Sequence, residues 1–210
     1  MKIKNFWLKW KKKNIYVKKA YYDKLKEFLD NIGIPYIQCN EEADLLCNTL
    51  VLKGKVDLIM SDDMDILVGG ANHILRNFNI NNNKILYYNL EKIQESLGLT
   101  SEQWINLCVL SGCDYCPRIQ GVGVKNAYKF IQKHPIEEVF KILNYKAPEN
   151  YVEKFNRSKE LFLKIIDNEE IDKMELVKKP ANETELTVFL KEYTNLTEKQ
   201  INNRLKIINK

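Results

Sequence analysis

A short apolar strand that runs directly into a group of acidic residues constrains this fold more than any other feature. Residues 56–60 are apolar apart from Asp57, and their length and composition are typical of a buried strand. A helix over residues 41–53 is expected before it, with Asn40 as N-cap and Gly54 as the closing residue. This alternation predicts an α/β fold with a partly parallel sheet. Further short strands are expected at residues 34–37, 74–75 and 85–88.

The second half of the chain is predicted to be helical. Asn89 is a good N-cap, Thr100 with Gln103 forms the pattern of a capping box, and Pro135 is favourable at the start of a helix. Residues 145–156 are expected to form a linker. Helices are expected over residues 17–29, 89–98, 104–110, 124–133 and 135–143, and near Lys159, Glu183 and Glu198.

Composition bears on the compartment and on the class of partner. No apolar run reaches ~18 residues, so no membrane span is expected. The first residues lack a secretory signal, and an odd count of five cysteines favours reduced thiols inside the cell, with nucleus and cytoplasm both open. The net charge of +5 favours a polyanionic partner. Near the N-terminus, lysines interleave with Trp7, Trp10 and Tyr16, which is typical either of a solvated basic arm or of a surface that tracks phosphates.

Three acidic segments are candidates for chemistry. The first is Glu41-Glu42-Ala43-Asp44 at a helix start, the second is Asp62-Asp63-Met64-Asp65 after the buried strand, and the third is Asp114 after a helix. Each has an ordinary structural explanation. Acids in a first turn complement the helix dipole, aspartates after a strand form turns, and Asp114 is a possible N-cap.

Taken together, these acids predict a divalent-metal site. The end of a strand is where α/β folds place active sites, and Asp63 and Asp65 share one side of an extended chain. Glu42 and Asp44 would diverge within a regular helix but flank one site at a helix end. Several carboxylates in one pocket repel unless a cation neutralises them, and oxygen-only ligands suit Mg²⁺ or Mn²⁺. Such a cluster is typical of two-metal phosphoryl chemistry.

A glycine-bearing turn precedes the helix expected over residues 124–133. Gly121 and Gly123 allow the backbone to approach a phosphate closely, the helix N-terminus favours an anion, and Lys125 adds a positive charge. A lone Gly-x-Gly usually marks only a tight turn. Here it follows Asp114 within a few residues, which favours a phosphate-binding role.

These segments, in this order, resemble the flap endonuclease and XPG family of structure-specific 5′ nucleases. The resemblance is dense over residues 17–139 and thinner through the C-terminal helices. It rests on Gly33-Ile34-Pro35-Tyr36, Glu42-Ala43-Asp44, Gly54-Lys55-Val56, Ser61-Asp62-Asp63-Met64-Asp65, Gly112-Cys113-Asp114-Tyr115-Cys116 and Ile119-Gln120-Gly121-Val122-Gly123.

The resemblance implies a PIN-like nuclease sheet followed by an all-helical region with a helix-two-turn-helix element. It implies that Mg²⁺, or Mn²⁺ in its place, supports phosphodiester hydrolysis of branched DNA during replication or repair. The segment from Cys116 to Ile131 would hold duplex phosphates through Gly121, Gly123 and Lys125. Arg118 stands where the family commonly has a hydroxyl, which disfavours the potassium ion often held in that turn. The implied catalytic, metal-binding residues are Glu42, Asp44, Asp63, Asp65 and Asp114.

The same resemblance divides the chain into three regions and marks two departures. Residues 1–20 would be a basic arm at the edge of the family's helical arch, residues 21–110 the XPG-I-like nuclease region, and residues 111–210 the helical DNA-binding region. The family's N-terminal strands with two further aspartates, and its sliding-clamp peptide, are not seen in this sequence. We therefore expect weak cleavage by this chain alone, and a separate chain supplying the N-terminal part is one possibility. The alternatives are a non-catalytic or split DNA-binding subunit and a small RNA-cutting nuclease.

Overall fold

A computed structural model describes residues 17–167 and 169–208, which fold into two compact units. The central unit is Cys39–Met174, and the terminal unit contains residues 17–38 and 175–208. The expected boundary between residues 110 and 111 lies inside the central unit, so the three-region division stays a prediction. Most of the expected basic arm, residues 1–16, lies outside the described residues.

The central unit contains a small mixed sheet of three strands. These are β1 (Ile59–Met60), β2 (His73–Asn79) and β3 (Lys84–Asn89), in the order β1-β2-β3. β1 runs parallel to β2, and β3 runs antiparallel to β2. The α/β class with a partly parallel sheet is thereby confirmed.

Eight helices of four residues or more accompany the sheet in the described part of the central unit. The first helix of the chain, α1 (Lys19–Asn31), belongs to the terminal unit. The first four helices of the central unit are α2 (Ala43–Leu52), α3 (Asp65–Val68), α4 (Leu90–Leu97) and α5 (Ser101–Leu110).

The remaining four helices of the central unit are α6 (Val124–Lys133), α7 (Ile136–Leu143), α8 (Tyr151–Leu163) and α9 (Glu169–Asp172). The terminal unit contains α1, α10 (Glu183–Tyr193) and α11 (Glu198–Ile208).

The expected helix signals at the centre of the chain are confirmed. The Asn89 side chain accepts a hydrogen bond from the Lys92 N–H at 2.8 Å and caps α4, which Gly98 ends in a left-handed conformation. Thr100 and Gln103 form the capping box of α5. These signals depend on residues a few positions apart, so they are readable without knowledge of the tertiary fold.

Several expected elements were wrong. Residues 34–37 form no strand, because the neighbouring backbone pairs within the terminal unit, where the Lys179 N–H donates to the Gly33 carbonyl. The strand over residues 56–60 shrinks to Ile59–Met60, and Met60 is 63% exposed rather than covered. Helix α2 starts at Ala43 with Glu42, not Asn40, as N-cap.

The expected linker over residues 145–156 was also wrong, because α8 starts at Tyr151. Tyr151, Phe155 and Phe162 form a buried stripe at helical spacing along α8. Burial of these aromatic side chains outweighs the loop-forming residues Pro148 and Asn150 that precede them.

Trp104 of α5 connects the two hydrophobic clusters of the central unit. Its ring packs against both clusters, and its Nε1–H donates to the Leu67 carbonyl of α3 at 3.1 Å. One polar bond and two packed surfaces therefore hold α3 against α5. This matters for the site, since α3 begins at Asp65 and α5 leads to Asp114.

The structure contains no helix, within residues 17–167 and 169–208, with the length and apolar composition needed to cross a bilayer.

Two glycines with similar backbone angles are expected to differ in their tolerance of alanine. Gly33 has φ +72°, and a Cβ added there would lie 2.0 Å from the Lys179 carbonyl oxygen. Gly54 has φ +66° but has nothing within 4 Å of an added Cβ. We expect Gly54→Ala to cost about 1–2 kcal/mol for the left-handed conformation alone, and Gly33→Ala to cost about 1–3 kcal/mol more for the overlap. Urea unfolding of both variants measures the difference, and equal losses would contradict it.

Candidate metal centre

Five carboxylate side chains line one cavity of about 250 Å³ in the central unit. Glu42 and Asp44 come from the start of α2, Asp63 and Asp65 from the turn after β1 and the start of α3, and Asp114 from the segment after α5. The structure thus brings together all five acids that the sequence singled out. The other lining residues are Leu45, Asn48, Tyr115, Leu161 and Phe162.

Local hydrogen bonds shape the turn that carries Asp63 and Asp65. The Asp63 N–H donates to the Ser61 hydroxyl oxygen at 3.0 Å, and the Asp65 N–H donates to Asp63 Oδ1 at 3.0 Å. Asp62, which directly precedes Asp63, instead accepts a hydrogen bond from the Asn77 N–H at 2.8 Å and does not line the cavity. The run of acids therefore divides into two cavity residues and one structural residue.

The backbone at the start of α2 explains how Glu42 and Asp44, two positions apart, both line the cavity. Glu42 is the N-cap, with extended backbone angles of φ −68° and ψ 134°, and Asp44 lies in the first helical turn. Because the pair spans the change from extended chain to helix, it does not diverge as two residues inside a helix would. The Tyr115 hydroxyl donates to Glu42 Oε2 at 2.5 Å and orients that carboxylate.

Residues that follow α8 form a hydrogen bond and ion pairs with α2 and with the residues that flank it. The Ile166 N–H donates to the Thr49 hydroxyl oxygen at 3.1 Å, and Lys53 pairs with Asp172 at 2.8 Å. Lys164 pairs with Glu41, the acid of the first segment that does not line the cavity. These contacts tie the helix that carries Glu42 and Asp44 to a distant part of the chain.

The cavity is unfavourable for uncompensated negative charge. Burial first, and then the charges of neighbouring acids, raise the pKa of Asp44 and the pKa of Asp65 above the ordinary value of 3.8. Among the described residues that line the cavity, none is basic. The oxygen-only donor set and its unbalanced charge fit a divalent cation of the Mg²⁺ type.

The carboxylates share a cavity without closing on a single point. In the described part of the chain, no group of three or more Asp, Glu, His or Cys side chains is arranged so that it could hold a metal ion. Mg²⁺ commonly keeps several waters and takes few direct protein ligands. The donor chemistry therefore fits a hydrated cation better than a closed cage of side chains.

The raised pKa of Asp65 leads to a pH-dependent prediction for Asp65→Asn. The folded state holds the Asp65 proton to higher pH than the unfolded state, so this carboxyl lowers the free energy of unfolding as pH rises above about 3.8. Without metal, we expect Asp65→Asn to be more stable than the wild type at neutral pH, with an advantage that disappears on acidification. Urea unfolding in chelator between about pH 4 and pH 7 measures it. An advantage that is constant with pH would contradict the prediction.

Five lining residues were not among the candidates that the sequence singled out, namely Leu45, Asn48, Tyr115, Leu161 and Phe162. Tyr115 directly follows Asp114, and Asn48 lies one helical turn after Asp44, so both had a signal in their spacing. Leu161 and Phe162 had none, because they lie far from the five acids in sequence. Phe162 packs edge-on against Tyr115, with ring centroids 5.4 Å apart.

The glycine turn forms a separate exposed feature of the central unit. Gly121 has φ +81°, and Gly123 is the N-cap of α6 without a side-chain cap. An added Cβ would meet nothing within 4 Å at either glycine, and Lys125 is exposed. The first N–H groups of α6 are therefore open to an anion.

Comparison with known proteins finds similarity to nucleases. Residues 33–114 match the family model described as the XPG I-region. Flap endonuclease 1 of Entamoeba histolytica is 37% identical over 207 residues, which cover 89% of this chain and 54% of that protein. The chain thus spans about half the length of the curated relatives it matches.

Solved structures of such nucleases share the fold of this chain. The flap endonuclease-1 from Methanococcus jannaschii superposes with a TM-score of 0.75 at 24% identity, covering 92% of this chain and 58% of that one. A Holliday junction-resolving enzyme, GEN1, in complex with product DNA and a Mg²⁺ ion, gives a TM-score of 0.72 at 21% identity, covering 91% and 55%. The expected nuclease fold with its helical C-terminal region is confirmed.

Proposed function

The chain belongs to the flap endonuclease and XPG family of structure-specific 5′ nucleases, and on that premise we propose that it hydrolyses phosphodiester bonds in branched DNA inside the cell, in replication or repair. The observation that carries the proposal is the convergence of Glu42, Asp44, Asp63, Asp65 and Asp114 on one cavity. Metal-assisted hydrolysis needs an oxygen-rich, negatively charged pocket, and this cavity has that character.

Some of the cavity residues would bind the metal, and others would position the residues that bind it. Bound Mg²⁺, or Mn²⁺ in its place, would activate water and neutralise charge on the phosphate. Asp63 and Asp65 would bind from the turn after β1, and Asp44 and Asp114 from the facing segments. Tyr115 holds the Glu42 carboxylate in place through its hydroxyl. The apolar wall of Leu161 and Phe162 would limit access of bulk water to the reacting phosphate.

The open N-terminus of α6 would hold the duplex beside the cleaved strand. Gly121 and Gly123 leave room for a phosphate at the backbone N–H groups, and Lys125 adds charge. Potassium is not part of the proposal, because Arg118 puts a fixed positive charge in the same loop.

Lys125→Ala tests this phosphate contact. We expect weaker binding to all duplex sequences alike, with the slope of log affinity against log salt concentration reduced by ~0.9 for one lost phosphate contact. Lys133→Ala is the matched control, since it removes the same charge from the last turn of α6, where the helix dipole disfavours anions. An unchanged slope for Lys125→Ala, or equal changes in both variants, would rule out a specific contact.

A second candidate is a DNA-binding subunit that does not cut by itself. The observation that favours it is the lack, in the described residues, of a group of three acids arranged to hold a metal ion. The two candidates differ in one result, because a subunit of this kind would bind branched DNA without metal-dependent cleavage.

The deciding experiment is cleavage of a labelled 5′-flap duplex by the wild type and by Asp65→Ala. We expect Mg²⁺-dependent cutting near the junction by the wild type, and no cutting by the variant or in the presence of chelator. Binding without cleavage would favour the subunit. Cutting that persists in Asp65→Ala would contradict the assigned site.

A further inference from the structure

Asn48 is a buried polar residue on the wall of the acidic cavity. It lies one turn after Asp44 on α2, is only 5% exposed and lines the same cavity as the five acids. Its Oδ1 is buried and, among the described residues, has no hydrogen-bond partner. A buried acceptor without a partner costs about 1–3 kcal/mol, so its presence calls for a compensating role.

The fold makes room for this particular side chain. A Cβ added to Gly69, just after α3, would lie 2.0 Å from Asn48 Nδ2 and 2.7 Å from its Cγ. Gly69 has an ordinary φ of −71°, so the backbone does not require glycine there. The glycine instead leaves space in which the carboxamide of Asn48 packs between α2 and α3.

We infer that Asn48 is a positioning residue of the metal centre, whose carboxamide oxygen accepts a hydrogen bond from the hydration shell of the bound cation. This rests on the proposed function, since it assumes a divalent cation among the acids. The carboxylates do not form a closed cage, so water must complete the coordination. A neutral acceptor on the wall orients such water without adding another charge to an already repulsive pocket.

Asn48→Leu tests the inference, because leucine keeps the shape of the side chain and removes its polar atoms. Calorimetric titration with Mn²⁺ alone is expected to give a dissociation constant about 10–100-fold higher than that of the wild type, as for other residues that act through metal-bound groups. The thermal midpoint of the metal-free variant is expected to be no lower than that of the wild type, since a buried unpaired acceptor is lost. Asn48→Asp keeps an acceptor at the same place and is expected to retain Mn²⁺ binding.

Asn106 provides the matched control. It is also a buried asparagine with an unpaired Oδ1, 4% exposed, but it lies on α5 and does not line the acidic cavity. Asn106→Leu should leave Mn²⁺ affinity unchanged. Equal Mn²⁺ affinities of the wild type and Asn48→Leu would overturn the inference and leave the metal centre standing, whereas a wild type without Mn²⁺ binding would overturn both. If Asn48→Leu does not fold, Asn48→Ala is judged by the same criterion.

Discussion

Alanine in place of Asp65 is expected to reduce Mn²⁺ binding below detection while the metal-free protein keeps its fold. Asp65 combines burial with the repulsion of neighbouring acids, which together raise its pKa. Removing it would take away one of the proposed oxygen ligands and also relieve that repulsion. Asp63→Ala is expected to lose Mn²⁺ binding as well, but with a stability cost, because Asp63 Oδ1 accepts the Asp65 N–H.

Asp62→Ala is the control for this experiment. Asp62 belongs to the same acidic run, but its carboxylate accepts the Asn77 N–H and lies outside the cavity. We expect this variant to bind Mn²⁺ with wild-type affinity and to lose about 1–3 kcal/mol of stability through the lost hydrogen bond. Calorimetry and urea unfolding on the same samples separate the two effects. Unchanged Mn²⁺ affinity in both Asp63→Ala and Asp65→Ala would overturn the assignment of the metal centre.

Aspartate in place of Gly123 is expected to weaken DNA binding tenfold or more while slightly stabilising the protein. Gly123 is the N-cap of α6 with φ −89°, and an added Cβ meets nothing within 4 Å, so the substitution fits without strain. Aspartate is the better N-cap and should add a few tenths of a kcal/mol. Its charge would occupy the position proposed for a phosphate, and two like charges ~4 Å apart near a surface repel by more than the ~1.4 kcal/mol that a tenfold loss requires.

Gly123→Asn separates charge from shape. Asparagine caps a helix about as well as aspartate but carries no charge. We therefore expect Gly123→Asn to gain similar stability and to bind duplex DNA better than Gly123→Asp. Titration of a duplex at several salt concentrations gives both affinities. Equal binding by the wild type and Gly123→Asp would show that no phosphate lies at this helix terminus.

Much of the fold was predictable because its signals are local. The caps at Asn89 and Thr100 act over three residues, and the glycine turn before α6 acts over a similar distance. The failures came where distant contacts compete with local preference. Residues 34–37 form no strand, and the Gly33 carbonyl before them accepts from the Lys179 N–H of a distant segment. The expected linker contains the start of α8, since Tyr151 and Phe155 are buried in the core of the central unit.

The candidate site also has a part that the sequence predicted and a part that only the tertiary structure decided. The sequence by itself determined which acids are candidates, because their positions at a helix start and after a strand are matters of spacing along the chain. Only the tertiary structure decided that Asp63 and Asp65 face the cavity while Asp62 turns to Asn77. It also brought in Leu161 and Phe162, which lie far from the five acids in sequence. The physical reason is that a cavity is made by side chains from α2, α3 and α8 packing together, and burial and charge at such a place depend on every segment that meets there.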